Sequence, residues 1–395
     1  MTAREAAYQV VLRVFEDDAY ADRVLRSAAA GLDARDRALA QRLAFGTVQR
    51  VRKLDPPVRA ALRLGAYQLA FTDVAQHAAV NETVELVRRA RLERAVAFTN
   101  AVMRRLTAGL PDLLASLHED TPQDAALKHS YPDWVAEVWW DELGRDDALG
   151  LMRAQNEPPE RVVRINRRKQ AMIAGTPDPD LPDAWHVERV GEDAVAQGLI
   201  WPQSLGSQLA GVVVGARAGE RTLDLCAAPG GKATQLEGEV VAVELHPGRA
   251  RELEENCRRL GADNVTVVNA DATQLPPELS GFDYVLVDAP CSGLGVLAGR
   301  PDLRWRARPL PELQRQLLAV AAERVKPGGE IVYSVCTIHS EENEDVVDAS
   351  GLEVEPLGDE WPQFRHPRRP EFLLTLPHAH STSGFFIARL RARSA

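Results

Sequence analysis

The chain has 395 residues, of which 45% are hydrophobic and 26% charged, and this length predicts two or three globular domains. No apolar run approaches the roughly 20 residues of a membrane-spanning helix, and the acid-containing, amphipathic start MTAREAAYQVVLRVF does not resemble a signal peptide. Composition therefore argues against a membrane-embedded or secreted protein, and we expect a cytoplasmic one.

The net charge of −10 argues against a uniformly basic surface, but the positive residues are clustered. Residues 83–106 hold six arginines against two glutamates, residues 153–169 hold six basic residues against two acids, and residues 299–308 hold four arginines against one aspartate. Each stretch by itself is equally well explained as a solvated helix face. Three of them in one acidic chain favour local surfaces that bind RNA phosphates.

In chain order, the first predicted elements are helices. Apolar residues of 1–120 recur at three- and four-residue spacings in AAYQVVLRVF, RDRALAQRLAFGTVQRV, PPVRAALRLGAYQLAFT and VNETVELVRRA, which predicts an all-α domain. Residues 121–205 are mixed, with Pro-rich turns such as TPDPDLPDAW and a strand at ERVVRIN, and predict a small α+β connector.

From about residue 206, strands and helices alternate. Strand-like runs occur at RTLDLC, VVAVEL, NVTVVNA, FDYVLVDA, GEIVYSV and GFFIARL, with helical stretches such as GRARELEENCRRLG between them. This α/β alternation predicts an open parallel sheet with helices on both faces and a ligand at the carboxyl ends of its strands. About six residues, KATQLE, are left for the first crossover, which predicts a stub of a helix unless the sequence is shortened there.

The stretch LDLCAAPGGKATQ (223–235) has the pattern of a strand, a glycine-rich turn and a helix start. A P-loop would need Gly and Ser or Thr at the positions of Cys226 and Ala233, so magnesium would lack its hydroxyl ligand. A dinucleotide fingerprint would need three spaced glycines, and only Gly230 and Gly231 are present. The remaining hypothesis is S-adenosylmethionine, which needs close backbone approach but no diphosphate cradle.

Acidic residues at the following strand ends support this cofactor. Glu244 ends the next strand, 20 residues after Asp224, where a carboxylate can accept both ribose hydroxyls. Asp271 follows the third strand and is placed to meet the adenine amino group. The alternative for each acid alone is a cap on a helix or turn. Acids at successive strand ends beside a Gly-Gly turn favour the cofactor.

The four cysteines, Cys226, Cys257, Cys291 and Cys336, include no C-x-x-C pair. Zinc sites use close pairs and disulfide scaffolds belong to short secreted chains, so we expect neither a metal nor a disulfide. Cys257 lies inside a predicted helix and is expected in the core, an explanation that we also favour for Cys226. Cys291 and Cys336 end strand-like runs beside the cofactor turn, which favours a chemical role.

The residues around these two cysteines indicate which chemistry that is. Methyltransferases that modify exocyclic amines carry a polar-Pro-Pro-aromatic sequence after the fourth strand, but this chain has Asp288-Ala289-Pro290-Cys291. A thiol suits carbon 5 of a pyrimidine, which becomes nucleophilic once a thiolate adds to carbon 6. Asp288 is the candidate to meet N3, and a second thiol would assist removal of the carbon 5 proton. The base must leave any stacked helix, so a splayed or single-stranded RNA site is expected.

Several motifs resemble a known family. DLCAAPGGK, DAPCSG, RPDLRW, YSVCTI with EEN, and GFFIARL are similar to those of Sun-like RNA cytosine-C5 methyltransferases. LRLGAYQL, HAAVNETVEL and FTNAVMRRL resemble the NusB-like RNA-binding domain of one branch, the bacterial 16S rRNA methyltransferases of the RsmB (Fmu/Sun) type. The resemblance implies an all-α NusB-like domain at 1–120, a small α+β, RNA-contacting connector at 121–205 and a Rossmann-like S-adenosylmethionine-dependent methyltransferase domain at 206–395.

Carried over by position, the resemblance implies that Cys336 is the nucleophile and Cys291 the cysteine that assists release, an order that spacing alone leaves open. It implies an unpaired cytosine of 16S rRNA as substrate, at a 967-type site, and we expect a monomer with RNA as its partner. Lys232 would contact the cofactor or Asp288. The implied contacts to S-adenosylmethionine come from Cys226, Ala227, Ala228, Pro229, Gly230, Gly231, Lys232, Glu244, Asp271 and Asp288.

Three positions depart from the family pattern. Val335 stands where Thr or Ser usually precedes the nucleophile, Ser204 replaces an Asp after IWPQ, and Ser383-Gly384 replaces an Asp-Gly before the last strand. The first two bear on how the substrate fits rather than on the type of reaction.

Three alternatives stay open. The same chemistry could act on tRNA or on another rRNA site. An RNA-binding, antitermination-like protein could carry an inactive methyltransferase half, although the intact Asp288, Cys291 and Cys336 argue against it. A DNA cytosine methylase shares the chemistry but places its nucleophile in a Pro-Cys after the fourth strand, which here would be Cys291.

Overall fold

The computed structural model describes residues 1–17, 19–49, 56–169 and 173–392. They form two compact units, which we call the helical unit (residues 1–158 and 297–307) and the sheet unit (residues 159–296 and 308–395). The division predicted from the sequence, with boundaries at 120 and 205, stays a prediction, and these units divide the chain at other positions. The last two residues of the predicted helical run at 35–51 lie outside the described residues.

Helices build the helical unit and alternate with strands in the sheet unit. The helices are α1 (Ala3–Glu16), α2 (Ala21–Ala28), α3 (Ala34–Gln49), α4 (Pro56–Phe71), α5 (Gln76–Arg89), α6 (Glu93–Ala115), α7 (Pro122–His129), α8 (Asp133–Leu143), α9 (Arg145–Ala154), α10 (Glu192–Ala196), α11 (Leu205–Val214), α12 (Pro247–Leu260), α13 (Leu303–Arg306), α14 (Pro311–Arg324), α15 (Glu344–Ser350) and α16 (Pro377–His380). The strands are β1 (Val162–Ile165), β2 (Thr176–Pro177), β3 (Ala184–His186), β4 (Ile200–Pro202), β5 (Arg221–Asp224), β6 (Glu239–Glu244), β7 (Val265–Asn269), β8 (Phe282–Asp288), β9 (Val325–Val335), β10 (Glu353–Glu355), β11 (Leu373–Thr375) and β12 (Phe385–Arg391).

The helical unit follows from amphipathic sequence patterns. α1 begins with a capping box, in which the Thr2 hydroxyl accepts from the Glu5 backbone and the Glu5 carboxylate accepts from the Thr2 backbone. Its buried face, with Val10 and Val14, packs into one hydrophobic core with α2, α3 and α4. The elements of this region that the structure describes, α1–α6, are helices, as predicted. The predicted α+β connector begins with the helices α7–α9, and its strands follow from β1 onward.

The sheet unit contains a small antiparallel sheet of order β2-β3-β1-β4. Its central strand β1 coincides with the strand predicted at ERVVRIN. Directly after β1, the Arg168 guanidinium donates to the backbone carbonyls of Thr234 at 2.6 Å and Leu236 at 3.2 Å. These bonds fix the small sheet against the segment that follows the predicted cofactor turn.

The main sheet has the order β10-β12-β9-β8-β5-β6-β7, with β11 beside β12. β7, β6, β5, β8 and β9 are parallel, as the alternation predicted. The expectation of a wholly parallel sheet is wrong at one edge, because β12 runs antiparallel to β9 and pairs with the antiparallel β10 and β11. Antiparallel edge strands on a parallel sheet need no helical crossover, and the chain from 336 to 384 supplies only short elements.

The first crossover is as short as its six residues suggested. Between β5 and β6 the chain makes one 3-10 turn, Ala233–Gln235, in place of a full helix. Because β5, β6, β8 and β9 are parallel, their carboxyl ends lie along the same side of the sheet, and the predicted site residues lie there. Among the described helices, none is long and apolar enough to cross a membrane.

Candidate active site

The glycine turn that follows β5 is tight and closely surrounded. Gly230 has a φ of +106°, a value that favours glycine, and a Cβ there would stand 2.7 Å from the Leu253 side chain. A Cβ on Gly231 would stand 3.1 Å from the Trp201 indole nitrogen. Backbone conformation and packing therefore both require glycine at 230, and Gly231 has little space for a side chain.

Asp224, the last residue of β5, is almost fully buried beneath this turn. Its Oδ1 accepts from the Cys226 backbone at 3.3 Å, while Oδ2 has no hydrogen-bond partner among the described residues. Burial and the nearby Asp288 raise the pKa of Asp224 to about 7. Burial also raises the pKa of the Cys226 thiol, which keeps it protonated. No contact was predicted for Asp224, although an acid at the end of the strand that leads into the glycine turn was the available signal.

Glu244 and Asp271 lie after neighbouring strands, as predicted. The buried Glu244 accepts from the His246 backbone at 2.9 Å, and its second oxygen lies 3.4 Å from the Arg249 guanidinium. Asp271 accepts from the Thr273 hydroxyl at 2.7 Å and backbone at 2.9 Å through one oxygen, and these bonds lower its pKa. Asp271 therefore caps the 3-10 turn that follows it, as the alternative to an adenine contact predicted.

Lys232 joins the glycine turn to the end of β8. Its buried ammonium donates to Asp288 Oδ2 at 2.7 Å and lies 5.0 Å over the centre of the Phe385 ring. The Ser334 hydroxyl donates to the other oxygen, Asp288 Oδ1, at 2.8 Å. Asp288 is therefore held by one charged and one neutral donor, and Ser334 and Phe385 are site residues that sequence analysis did not single out.

Cys291 and Cys336 are brought together, with their sulfurs 3.4 Å apart. A disulfide needs about 2.05 Å, so the two groups are separate thiols. The contact with Cys336, together with burial, raises the pKa of Cys291 well above its ordinary value. Cys257 lies in the hydrophobic core, as predicted, and burial raises the pKa of its thiol to about 11.

The hydrogen bonds beside both cysteines converge on Glu342, in the EEN motif. Ser292 and Thr337, the residues that follow the two cysteines, join their hydroxyls at 2.8 Å, and Ser292 also bonds the Glu342 carboxylate. The EEN motif belongs to the family resemblance, but the residues that bond Glu342 lie 28 to 50 positions away, so no local pattern predicts these bonds.

The three departures from the family pattern have structural counterparts. Ser204 caps α11 by accepting from the Ser207 backbone at 3.3 Å, a role that Ser and Asp fill about equally well. Ser383 donates to Glu160 from its backbone at 2.8 Å and from its hydroxyl at 3.1 Å. Val335 is fully buried, an environment that suits its apolar side chain.

The arginine-rich stretches differ from one another. All six arginines of residues 83–106 are exposed. In residues 299–308, however, Arg304 is fully buried, stacks 3.7 Å over the Tyr131 ring and donates to the Tyr131 hydroxyl at 2.8 Å and to Asn156 at 2.9 Å. In residues 153–169, Arg164 is likewise buried and donates to Thr234. The expectation of phosphate-binding surfaces is therefore wrong for Arg304 and Arg164.

The described residues include no group of His, Cys, Asp and Glu side chains that could hold a metal ion.

Comparisons with known proteins agree with this architecture. The family model described as 16S rRNA methyltransferase RsmB/F matches residues 212–391, and that of the NusB family matches residues 48–108. The probable ribosomal RNA small subunit methyltransferase B of Bacillus subtilis is 30% identical over 99% of both chains. Ribosomal RNA small subunit methyltransferase B of Salmonella newport is 31% identical over 88% of this chain and 89% of its own.

Solved structures share the fold. PH0851 matches with a TM-score of 0.82 and 24% identity over 99% of both chains. NSun6 from Pyrococcus horikoshii, solved with SFG, matches with a TM-score of 0.61 and 24% identity over 68% of this chain and 100% of its own. Identity to the curated relatives extends over nearly the whole length, through both the NusB-like helices and the sheet with its two cysteines, and the chain belongs to the 16S rRNA methyltransferase RsmB/F family.

Proposed function

We propose that this protein methylates carbon 5 of a cytosine in 16S rRNA, at a 967-type site, through a covalent adduct between Cys336 and carbon 6. The observation that carries the proposal is the pair of thiols 3.4 Å apart beside the Lys232–Asp288 ion pair and the glycine turn. An exocyclic amine would need neither thiol, whereas carbon 5 needs one thiol to activate the ring and a base to complete the reaction.

The residues at the sheet edge fit S-adenosylmethionine, which would supply the methyl group as a sulfonium. The buried Asp224 Oδ2 lacks a hydrogen-bond partner among the described residues and suits the amino-acid ammonium, and Gly230 allows a tight turn where a Cβ would clash with Leu253. Glu244, at the end of the next strand, would accept from the ribose hydroxyls, and the adjacent Leu245, 53% exposed, would offer an apolar surface to adenine. A structure of the same fold, NSun6 from Pyrococcus horikoshii, was solved with SFG, which is in keeping with this cofactor.

The geometry suggests how this chain's own residues would act on the base. The Cys336 thiolate forms a bond to carbon 6 while N3 gains a proton from the Asp288–Lys232 pair. Carbon 5 is then electron-rich and takes the methyl group. After losing its own proton to solvent, Cys291 takes the carbon 5 proton as a thiolate, the bond between carbon 6 and the Cys336 sulfur breaks to return the Cys336 thiolate, and N3 returns its proton. The raised pKa of Cys291 favours this second role, because a thiolate of higher pKa is the stronger base.

The exposed arginines of residues 83–106 support RNA as the partner. All six lie within the segment that matches the NusB family, and arginines bind phosphates through paired donors. Affinity for RNA should therefore fall as the salt concentration rises.

The proposal is tested with Cys336→Ala and Cys291→Ala, incubated with S-adenosylmethionine and 16S rRNA and analysed on denaturing gels. We expect no adduct and no 5-methylcytosine from Cys336→Ala, and a persistent RNA–protein adduct from Cys291→Ala. Cys257→Ala, a core cysteine, is the matched control and should methylate normally. If Cys336→Ala traps the adduct instead, Cys291 is the nucleophile and Cys336 assists release, which is the arrangement of the DNA cytosine methylases. Mapping of 5-methylcytosine in rRNA and tRNA then separates the 967-type site from other RNA targets.

A further inference from the structure

Glu342 is a fully buried carboxylate in the 3-10 turn Ser340–Glu342 that follows β9. Its Oε1 accepts at 3.0 Å from the Ser292 backbone, from the Leu310 backbone and from the Gln314 amide. Its Oε2 accepts from the Ser292 backbone at 3.2 Å and from the Ser292 hydroxyl. A buried carboxylate is costly unless such donors satisfy it, so these bonds hold their donors in place.

The donors surround Cys291 on both sides. Ser292 follows Cys291 and bonds Glu342 through backbone and side chain. Gln314 bonds Glu342 and also donates to the carbonyl of Pro290, the residue before Cys291, at 2.9 Å. One carboxylate thus fixes the backbone on either side of this cysteine.

The same carboxylate is connected to Cys336. The Ser292 hydroxyl, which bonds Glu342, lies 2.8 Å from the hydroxyl of Thr337, the residue after Cys336. The Tyr333 hydroxyl, three residues before Cys336, donates to the Glu342 carbonyl at 2.6 Å. Hydrogen bonds therefore connect Glu342 to the segments that carry both cysteines.

We propose that Glu342 is the positioning residue that sets the distance between the two thiols and thereby the rate of product release. This inference rests on the proposed function. The base that removes the carbon 5 proton must reach the atom next to carbon 6, which carries the Cys336 sulfur, so the two sulfurs need a fixed, short separation. A misplacement of about 1 Å slows a reaction step by about 10²-fold.

The inference is tested with the full-length Glu342→Gln variant, 16S rRNA and S-adenosylmethionine. The amide keeps the shape but turns a donor toward the donors of Ser292 or Gln314. We expect the covalent adduct to accumulate, because release slows about 10- to 100-fold, while the dissociation constant for S-adenosylmethionine stays within about threefold. Glu341→Gln removes the neighbouring, half-exposed carboxylate and should release product at the wild-type rate.

Thr337→Val is a second variant, for use also if Glu342→Gln does not fold. It removes only the hydroxyl link between the two cysteine segments, at nearly equal volume, and should also accumulate adduct. A merely structural role would lower the unfolding midpoint without trapping RNA. Wild-type release in Thr337→Val, or loss of stability without adduct in Glu342→Gln, would overturn the inference.

Cys291→Ala distinguishes this failure from that of the proposed function. If Cys291→Ala traps the adduct and the other two variants do not, only the role of Glu342 is wrong. If Cys291→Ala forms no adduct, the covalent chemistry itself is wrong.

Discussion

The glycine turn after β5 and the cysteine pair after β8 and β9 lie at the same sheet edge, but their hydrogen bonds span very different lengths of chain. In the turn, Gly230 donates to Ala227 at 2.8 Å and the Thr234 hydroxyl to Gly230 at 2.6 Å. Around the cysteines, Ser334 reaches Asp288 across 46 positions and Glu342 reaches Ser292 across 50. The turn closes on itself through these local bonds, although Lys232 and Thr234 also bond distant residues, and we expect its variants to alter cofactor affinity. The cysteine pair depends on a tertiary network, so variants there should alter the chemistry.

Lys232 offers the strongest test of this difference between the glycine turn and the cysteine pair. In the sequence it follows the glycines of the turn, but its ammonium bonds Asp288, which lies near the cysteines. We expect Lys232→Met to lower the single-turnover rate of methyl transfer about 10²-fold, since Asp288 loses its charged donor. Cofactor affinity should change by less than about threefold. Lys326→Met is a matched control, because the half-exposed Lys326 pairs with Asp283 near the amino ends of β9 and β8, far from the proposed site. If Lys232→Met lowers cofactor affinity and leaves the rate of methyl transfer unchanged, Lys232 acts in cofactor binding rather than through Asp288.

Glu244→Ala should act on the cofactor side alone. Removal of a charged acceptor costs about 1–3 kcal/mol, so the dissociation constant for S-adenosylmethionine should rise about 5- to 150-fold in calorimetric titration. Glu252→Ala, an exposed carboxylate on α12, serves as the control. Unchanged affinity in Glu244→Ala would refute the ribose contact.

Asp224 should make cofactor binding depend on pH. With a pKa of about 7 in the unliganded protein, the carboxylate is mostly protonated at pH 6 and mostly ionised at pH 8. An ammonium binds the ionised form, so affinity should increase as pH rises through 7, by about tenfold between pH 6 and pH 8. In Asp224→Asn the affinity should be lower and this dependence absent. Stronger binding at pH 6 than at pH 8 would contradict the assignment.

Ser383 provides the smallest expected effect, on stability. Ser383→Asp restores the acid of the family pattern but places a second carboxylate against Glu160, which should lower the free energy of unfolding by about 1–2 kcal/mol. Glu160→Gln in the same chain should recover most of that loss, because the amide can donate to the new carboxylate. Denaturant unfolding of the two single variants and the double variant measures the coupling. Additive effects would show that Glu160 does not compensate for the missing acid.

The parts of this protein that depend on neighbouring residues could be predicted from the sequence. Helical periodicity, the alternation of strands and helices, the glycine turn and the acids at strand ends are all short-range patterns. The convergence of Cys291 and Cys336 also followed, because the carboxyl ends of adjacent parallel strands meet at one edge. The antiparallel course of β12 did not follow, since a strand sequence carries no direction.

Composition did not predict which arginines are exposed and which are buried, because the burial of an arginine depends on partners distant in the sequence. The arginines of residues 83–106 and Arg304 have the same chemistry, yet the former are exposed and the latter lies in the core of the helical unit against Tyr131 and Asn156. A guanidinium can be buried only where donors find acceptors, and those acceptors are about 150 to 170 positions away.

The sequence by itself determined the fold class, the family and the end of the sheet at which the proposed site lies, because each depends on residue type and local spacing. Only the tertiary structure decided that Glu342 bonds the segments of both cysteines, that Asp224 has an unused oxygen and that Glu160 meets Ser383. Each of these depends on which polar groups are buried together, and burial arises only when segments far apart in the chain pack against one another.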